Sequence, residues 1–207
     1  MSRVEPVERL DAEALCRALA GRQFGHQLEV LEETTSTNDV VFQRAGEHAE
    51  GFVVFAERQT AGRGQYGNRW ESAASKGLWF SILLRPKVAA NDASRITAWA
   101  AQSVADTIRM HFSLGATVKL PNDVYVAERK VAGVLLELRA VPNSPHLGVL
   151  GIGINVNQTL EDFPAELRER AGSLAMSTGV QLDRHGVAIA VLRDLDRTYL
   201  AFTAGAR

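Results

Sequence analysis

The sequence predicts an α+β fold with a mixed, mostly antiparallel sheet backed by helices. Strand-like apolar runs and amphipathic helical segments are interspersed without the strict alternation of a doubly wound fold. Two strand-like runs, residues 52–58 and 78–84, flank a long glycine-containing loop, an arrangement typical of an antiparallel pair. With 46% hydrophobic residues, a chain of 207 residues can build one large domain, or one domain with a small appendage, with a substantial core.

The charge balance and cysteine content exclude several classes of protein. The chain has 23 Lys and Arg against 24 Asp and Glu, so its overall charge does not attract nucleic acid or an anionic membrane. Any recognition of phosphate must therefore be local. The single Cys16 excludes an internal disulfide, and neither a secretory signal nor a membrane-spanning run is evident. We therefore expect a soluble cytoplasmic protein that does not associate with membranes.

The amino-terminal part predicts a short helix, a strand and a second helix. Residues 11–20 begin with Asp11, a preferred N-cap residue, and place apolar side chains on one face. A strand is predicted at residues 28–31. The second helix is predicted at residues 37–45, after a polar run.

The polar run ends in Ser36, Thr37 and Asn38, which have two interpretations. Such side chains are ordinary N-cap choices at the start of a helix. Three neighbouring small polar groups also form a compact set of donors and acceptors that could bind a neutral polar ligand group. The residues alone leave both interpretations open.

The loop at residues 59–70, which we call the glycine loop, reads Gln-Thr-Ala-Gly-Arg-Gly-Gln-Tyr-Gly-Asn-Arg-Trp. Its glycines allow the backbone to approach a ligand, while Arg63 and Arg69 supply fixed positive charge. This combination suits an anion such as phosphate. The plainer alternative is a surface connection between two strands.

The glycine spacing also matches the dinucleotide fingerprint G-x-G-x-x-G, which requires a helix after the loop. Residues 71–77 have no helical apolar spacing and lead directly into the strand at residues 78–84, which disfavours a Rossmann unit. No Gly-Lys-Ser/Thr ends the loop, so a P-loop is not predicted either.

The second half predicts a long helix, four strands and two further helices. Helical spacing covers residues 92–112, with Asn91 or Asp92 as N-cap. The other elements are strands at residues 117–120, 124–126, 131–138 and 147–155, a turn at Asn143 to Pro145, and helices at residues 165–170 and 183–202.

The strand at residues 147–155 contains Gly148, Gly151 and Gly153. Glycine weakens a strand and often marks a close approach to its backbone. We therefore expect another group to pack directly on this strand. Lys130, in the turn between two earlier strands, is a solvated residue on the plainest interpretation.

Four segments, taken in order, resemble the biotin protein ligases, which attach biotin to acetyl-CoA carboxylase and related carriers. They are Ser36-Thr37-Asn38, residues 59–70, residues 119–123 followed by Arg129-Lys130-Val131-Ala132-Gly133, and residues 151–155. The resemblance implies a catalytic domain of the class II aminoacyl-tRNA synthetase-like, biotin and lipoate ligase type. That domain would occupy residues 28–207, after an amino-terminal helical extension at residues 1–27. The monofunctional type would have no DNA-binding domain, and we expect no carboxy-terminal β-domain.

The resemblance implies a two-step reaction that uses ATP and Mg²⁺, passes through biotinyl-5′-AMP and releases pyrophosphate and AMP. Biotin's carboxylate must approach the α-phosphate, so cations are needed to reduce the repulsion between two anions. The implied catalytic residues are Lys130, Arg63 and Lys119. The implied biotin contacts are Ser36, Thr37, Asn38, Gln59, Gly62, Arg63, Gly64, Lys130 and Gly133. The implied ATP contacts are Arg63, Gln65, Trp70, Lys119, Asn122 and Asn155, and Asp123 is the implied magnesium ligand.

The sequence departs from the family pattern at Gln65, Asn68 and Leu120. Many members carry Arg in place of Gln65, so we expect weaker retention of the adenylate here. Rival hypotheses are a lipoate or octanoate ligase or transferase and a non-catalytic biotin or nucleotide binding protein. The expected partners are biotin, ATP and a biotin carboxyl carrier domain, without DNA. The resemblance also leaves a homodimer open.

Overall fold

A computed structural model describes residues 9–86, 93–139 and 146–204 of the chain. Within these ranges a seven-stranded sheet has the order β1-β2-β3-β7-β6-β5-β4. The strands are β1 (Leu28–Thr34), β2 (Val53–Gln59), β3 (Gly77–Leu84), β4 (Ala116–Lys119), β5 (Asp123–Val126), β6 (Arg129–Arg139) and β7 (Leu147–Asn155). Only β1 and β2 pair in parallel, and the other five pairs are antiparallel. The predicted mixed, mostly antiparallel sheet is confirmed.

The two faces of the sheet are covered differently. The long helices α3 (Ala93–Phe112) and α5 (Arg184–Ala204) contact each other and cover one face, where the larger hydrophobic core lies. The helix α2 (Thr37–Arg44) packs on the other face over a smaller apolar cluster. Alternation along β2 shows the division, because Val53 and Phe55 belong to the larger core and Val54 to the smaller cluster.

The amino-terminal helix α1 (Ala12–Ala18) begins as predicted, because the Asp11 carboxylate accepts hydrogen bonds from the amides of Glu13 and Ala14. Leu15 and Leu19 pack in the larger core. Leu10, before the helix, packs there too, so the chain on both sides of this helix is held to the same core as the sheet.

A buried ion pair connects β2 to the start of α5. Arg184 Nη2 lies 2.7 Å from Glu57 Oε2, and both side chains are 5% exposed. The other carboxylate oxygen of Glu57 accepts a 2.8 Å hydrogen bond from the amide of Leu10. One carboxylate thus ties the amino-terminal segment, the sheet and α5 together.

Several element boundaries differ from the predictions. The helix α4 (Leu174–Thr178) was missed, because five residues are too few for a periodic pattern; Ser173 caps it and Gly179, with φ of 78°, ends it. Residues 165–170 form a 3-10 turn, Ala165–Leu167, instead of a regular helix. The strand β1 extends to Thr34, since pairing with β2 continues through the polar residues.

Other differences are small, and some predictions fall outside the described residues. The strand β4 ends at Lys119, one residue before the predicted end. The predicted caps Asn91 and Asp92 and the predicted turn at 143–145 lie outside the described residues. None of the helices in the described part of the chain combines the length and apolar character needed to cross a bilayer.

Candidate functional site

Two adjoining clefts lie on the face of the sheet that carries α2. The first cleft, about 150 Å³, is bounded by the glycine loop, the start of α2 and strands β6 and β7. The second cleft, about 330 Å³, is bounded by the loop, β5 and the turns near residues 163–171. The residues that line both are Asn68, Arg69, Trp70, Asp123 and Lys130.

The structure brings most of the predicted site residues into these clefts. The first cleft is lined by Ser36, Thr37, Asn38, Gln59, Arg63, Gly64, Gln65, Trp70, Asn122, Asp123, Lys130 and Gly133. Asn155 lines the second. Gly62 and Lys119 line neither cleft. The Lys119 side chain is exposed on β4, with its Nζ 5.7 Å from the centroid of the Tyr125 ring, and Tyr125 lines the second cleft.

The glycine loop is folded as a small hairpin. The amide of Gly64 donates to the carbonyl of Asn68 at 2.7 Å, and the amide of Trp70 donates to the carbonyl of Gly62 at 2.9 Å. At the tip, Gly67 has φ of 77°, a conformation that favours glycine, and Tyr66 has φ of 59°. The loop therefore carries its own hydrogen bonds, which hold the shape of the hairpin.

The glycines of the sheet make room for two side chains, which confirms the predicted close approach. A Cβ on Gly151 would lie 2.4 Å from Asn38 Oδ1, and one on Gly153 would lie 2.5 Å from Trp70 Cε2. A Cβ on Gly133, which pairs with Gly153 across the strands, would lie 2.8 Å from Trp70 Cζ3. The Trp70 ring thus lies directly on the sheet backbone, between the two clefts.

A buried hydrogen-bond network joins the start of α2 to β2 and β3. Gln59 Oε1 accepts from the amide and the hydroxyl of Thr37, at 2.8 and 3.1 Å. Ser81 Oγ lies 2.7 Å from Thr37 Oγ1 and donates to Asn38 Oδ1 at 2.5 Å. Ser36 is the N-cap of α2, but its side chain makes no capping hydrogen bond, although it lines the first cleft. These hydrogen bonds thus hold the side chains of Thr37, Asn38 and Gln59 in fixed positions.

Ser81 was not predicted as a site residue. Its signal in the sequence is a single hydroxyl within the apolar strand β3, where a buried polar group needs a partner. The partners lie on α2, so the serine orients side chains that face the first cleft.

Arg63 is held by two carboxylates. Its Nη1 and Nη2 donate to the two oxygens of Asp39 at 2.9 and 2.7 Å, and Nη2 also donates to Glu137 Oε2 at 3.0 Å. The hydrogen bond from Arg63 lowers the pKa of Asp39 below 3.8, against the effect of partial burial. The hydrogen bond to Asp39 also raises the pKa of Arg63, and the hydrogen bond to Glu137 makes a smaller contribution in the same direction.

Sequence reasoning missed both Asp39 and Glu137. Asp39 directly follows the polar triplet in the sequence, and Glu137 is an acidic residue within a long strand on the same face as Gly133. Both features could have drawn attention to these carboxylates. Their common partner on the glycine loop could not be identified from the sequence.

Lys130 lies at the junction of the clefts. Its Nζ is 2.6 Å from Asp123 Oδ1 and 5.3 Å from the centroid of the Trp70 ring. The side chain is 29% exposed, so it is not the solvated turn residue of the plainest interpretation. The ammonium group is therefore available to an anion that enters either cleft and competes with Asp123.

The predicted amides Asn122 and Asn155 are held by the protein itself. Asn122 Nδ2 donates to the carbonyl of Val134 at 3.3 Å. Asn155 Nδ2 donates to the carbonyl of Gly172 at 2.9 Å, and its Oδ1 accepts from Gln158 Nε2 at 3.0 Å. Asn155 is 5% exposed, so it supports the floor of the second cleft more than it projects into it.

The side chains around Asp123 offer few ligands for a metal ion. Among the residues that the structure describes, no group of three His, Cys, Asp or Glu side chains could hold a metal ion. Asp123 supplies one carboxylate. Mg²⁺ often takes one or two carboxylates and completes its coordination with substrate phosphates and water, so a single aspartate at the cleft junction fits a nucleotide-bound Mg²⁺.

The fold and the clefts define an α+β protein with a two-part ligand site. The first part combines the neutral polar network with Arg63, the second is an open cleft, and Lys130 and Trp70 line both. Such a site suits two ligands that must meet at their charged ends.

Comparisons with known proteins agree with this class. Residues 30–155 match the biotin/lipoate A/B protein ligase family. The bifunctional ligase/repressor BirA of Bacillus spizizenii is 35% identical over 177 residues, which are 85% of this chain and 54% of that protein. The biotin–[acetyl-CoA-carboxylase] ligase of Mycobacterium tuberculosis is 34% identical over 200 residues, covering 90% of this chain and 70% of that protein.

A solved structure is also similar. Biotin protein ligase from Aquifex aeolicus, in complex with biotin and ATP, has a TM-score of 0.75 and 35% identity, covering 86% of this chain and 72% of that chain. The chain therefore belongs to the biotin/lipoate A/B protein ligase family, and the resemblance drawn from the sequence is confirmed. It spans 54% of the length of the Bacillus spizizenii relative.

Proposed function

We propose that this protein activates biotin with ATP and transfers it to a lysine of a biotin carboxyl carrier domain. The observation that carries the proposal is the position of Lys130, whose ammonium group lies where both clefts meet and is paired with a carboxylate at 2.6 Å. A substrate carboxylate can take the place of Asp123 as its partner. Relatives named as biotin ligases and a similar structure with biotin and ATP support the substrate assignment.

In the first step, a carboxylate oxygen of biotin bonds to the α-phosphorus of ATP, and the bond to the β-phosphate oxygen breaks. Pyrophosphate leaves and biotinyl-5′-AMP remains. Lys130 and Arg63 would reduce the repulsion between the two anions and stabilise the charge that develops at phosphorus. In the second step, the amine of the carrier lysine attacks the acyl carbon, loses a proton and displaces AMP.

The first cleft is the proposed biotin site. Ser36, Thr37 and Gln59 would offer donors and acceptors to the neutral ureido ring, with Asn38 held beside them. The backbone of the glycine loop at Gly62 and Gly64 and the gap above Gly133 would accommodate the remainder of the acyl group.

The second cleft is the proposed nucleotide site. Trp70 would pack on adenine, Gln65 and Asn122 would contact the nucleotide, and Asn155 would support the cleft from below. Lys119 would have to turn from Tyr125 to reach the phosphates. Magnesium, when bound, would neutralise phosphate charge, with Asp123 providing one of its oxygen ligands.

The proposal extends to the setting of the reaction. We infer that residues 28–207 act as the catalytic domain, with residues 1–27 as an extension, and that the protein works in the cytoplasm without binding DNA. We further propose that the protein self-associates as a homodimer through the sheet, which the oligomeric state in solution would test.

The test is incubation of the protein with ATP, Mg²⁺ and either biotin or lipoate, together with a biotin carboxyl carrier domain. Mass spectrometry of the carrier should show one added biotinyl group and no lipoyl group. A carrier that gains only lipoate would favour the rival ligase, and an unmodified carrier in both reactions would defeat both enzyme proposals.

Two variants test which lysines take part in adenylate formation. Lys130→Gln should abolish adenylate formation, because no other described ammonium group lines the first cleft. Lys119→Gln tests whether the exposed lysine of β4 takes part at all. Arg58→Gln is the matched control for a lost surface charge, because Arg58 pairs with Glu33 at 2.9 Å away from the lining of either cleft.

A further inference from the structure

Arg63 contacts two elements that lie far from the glycine loop in the sequence. Asp39 is on α2, 24 residues before it, and Glu137 is on β6, 74 residues after it. The bond to Asp39 uses both terminal nitrogens of the guanidinium and both carboxylate oxygens, the paired geometry that gives arginine its specificity. Three elements therefore converge on one side chain of the loop.

Glu137 has a second partner that extends this connection. Its Oε2 accepts from Arg63 Nη2 at 3.0 Å and from Asn38 Nδ2 at 2.5 Å. Asn38 in turn belongs to the buried network with Ser81 and Thr37. A single carboxylate oxygen thus links the glycine loop to the polar network of the first cleft.

The base of the glycine loop is bonded to the end of β1, because the amides of Thr60 and Ala61 donate to the carbonyls of Thr34 and Thr35 at 2.9 Å. Beyond that base, the backbone hydrogen bonds from Gly64 to Asn68 and from Trp70 to Gly62 only close the hairpin on itself. The contacts of Arg63 cross from the loop to α2 and β6. Their loss would leave the hairpin intact, with its base still bonded to residues 34 and 35 and Trp70 still on the sheet, and would loosen the segment between these two anchors.

We propose that Asp39 and Glu137 are positioning residues that hold Arg63, and with it the glycine loop, over the first cleft before any ligand binds. Arg63 is thereby already aimed into the cleft that the substrate acid would enter. Glu137 makes the loop position depend on the polar network, so that a ligand contacting Asn38 also acts on Arg63. Only the kinetic consequence of this inference rests on the proposed function.

The first experiment measures hydrogen exchange in the ligand-free protein. In Asp39→Asn combined with Glu137→Gln, peptides spanning residues 59–70 should exchange faster by roughly fivefold, the factor expected when a partly exposed ion-pair cluster is lost. Both substitutions keep the shape of the side chain, remove its charge and replace one acceptor oxygen with an NH2 group. The matched control is Glu33→Gln, which removes the partner of Arg58 at 2.9 Å on the β1–β2 edge and should leave loop exchange unchanged.

The localisation of the effect separates positioning from general destabilisation. Exchange in α3 and α5 of the double variant should stay close to that of the wild type. Unchanged exchange in the loop, or an equal increase throughout the protein, would overturn the inference.

The second experiment measures adenylate formation by pyrophosphate exchange. A loop that spends less time over the cleft lowers the population competent to bind, so the KM for biotin should rise several-fold while kcat changes less. A loss of kcat with unchanged KM would contradict the positioning role. If the wild type itself shows no adenylate formation, the proposed function fails, but the exchange result still decides the inference.

Discussion

Replacement of Gly153 by alanine tests whether the Trp70 ring rests on the sheet as the structure shows. The new Cβ would lie 2.5 Å from Trp70 Cε2, and the ring would have to move about 0.9 Å to reach an ordinary contact of 3.4 Å. Movement toward the neighbouring strand is restricted, because Gly133 already lies close beneath the same ring. The backbone itself tolerates alanine, since Gly153 is not in the left-handed region.

The expected cost is that of overpacking a well-filled site, about 1–3 kcal/mol of unfolding free energy. For a domain of this size each kcal/mol lowers Tm by about 2–4 °C. Urea unfolding followed by far-UV circular dichroism measures the change. Gly148→Ala is the matched control on the same strand, where the new Cβ would meet the flexible end of Leu138 at 3.2 Å and the cost should stay below about 1 kcal/mol.

A double-mutant cycle assigns the cost to the ring. In a Trp70→Ala background the obstacle is gone, so Gly153→Ala should cost little, and the coupling energy should be about 1–3 kcal/mol. An equal cost with and without the indole would refute the stated packing. Because the ring separates the clefts, the variant should also raise the KM for both biotin and ATP.

Three further outcomes follow from contacts elsewhere in the chain. Gln65→Arg should slow the release of free biotinyl-AMP, because it adds a cation to the lining of the first cleft; equal release rates would contradict this. The pKa of Asp39 is lowered from 3.8 by its bond from Arg63, so its stabilisation is complete above pH 3.8 and is lost as the pH falls through the lower folded-state value. The Tm difference between wild type and Asp39→Asn should be equal at pH 7 and pH 5 and vanish in stronger acid, and a difference that grows there would have the wrong sign. Glu57→Gln should destabilise the protein by about 3 kcal/mol in urea titrations, because it removes the charge facing buried Arg184; a loss below about 1 kcal/mol would show that the pair is dispensable.

The sequence predicted the type of most elements and much of the candidate site. Asp11 marked a helix start correctly, and the glycines of β7 correctly indicated a close approach to that strand. The ordered motifs predicted that Arg63 and Lys130 belong to one site, and both side chains line the first cleft. The role of each site residue stays a prediction until the variants above are measured.

The missed features share a physical origin. The helix α4 was too short to show a period, and Asp39 and Glu137 are ordinary charged residues by their local sequence. The turns that close the second cleft are positioned by a backbone hydrogen bond to β6, in which the amide of Lys130 donates to the carbonyl of Arg170 at 2.8 Å. No pattern over a few residues contains that information.

By itself, the sequence determined the properties that arise within a few residues: the caps, the helical and strand periods, the turn glycines and the chemistry of each side chain. The tertiary structure decided which of these groups meet. Arg63 and Glu137 are 74 residues apart and Asn38 and Glu137 are 99 apart, yet one carboxylate oxygen joins all three. Local propensities act between near neighbours, whereas such contacts exist only after the packing of the sheet and α2 has brought distant strands together.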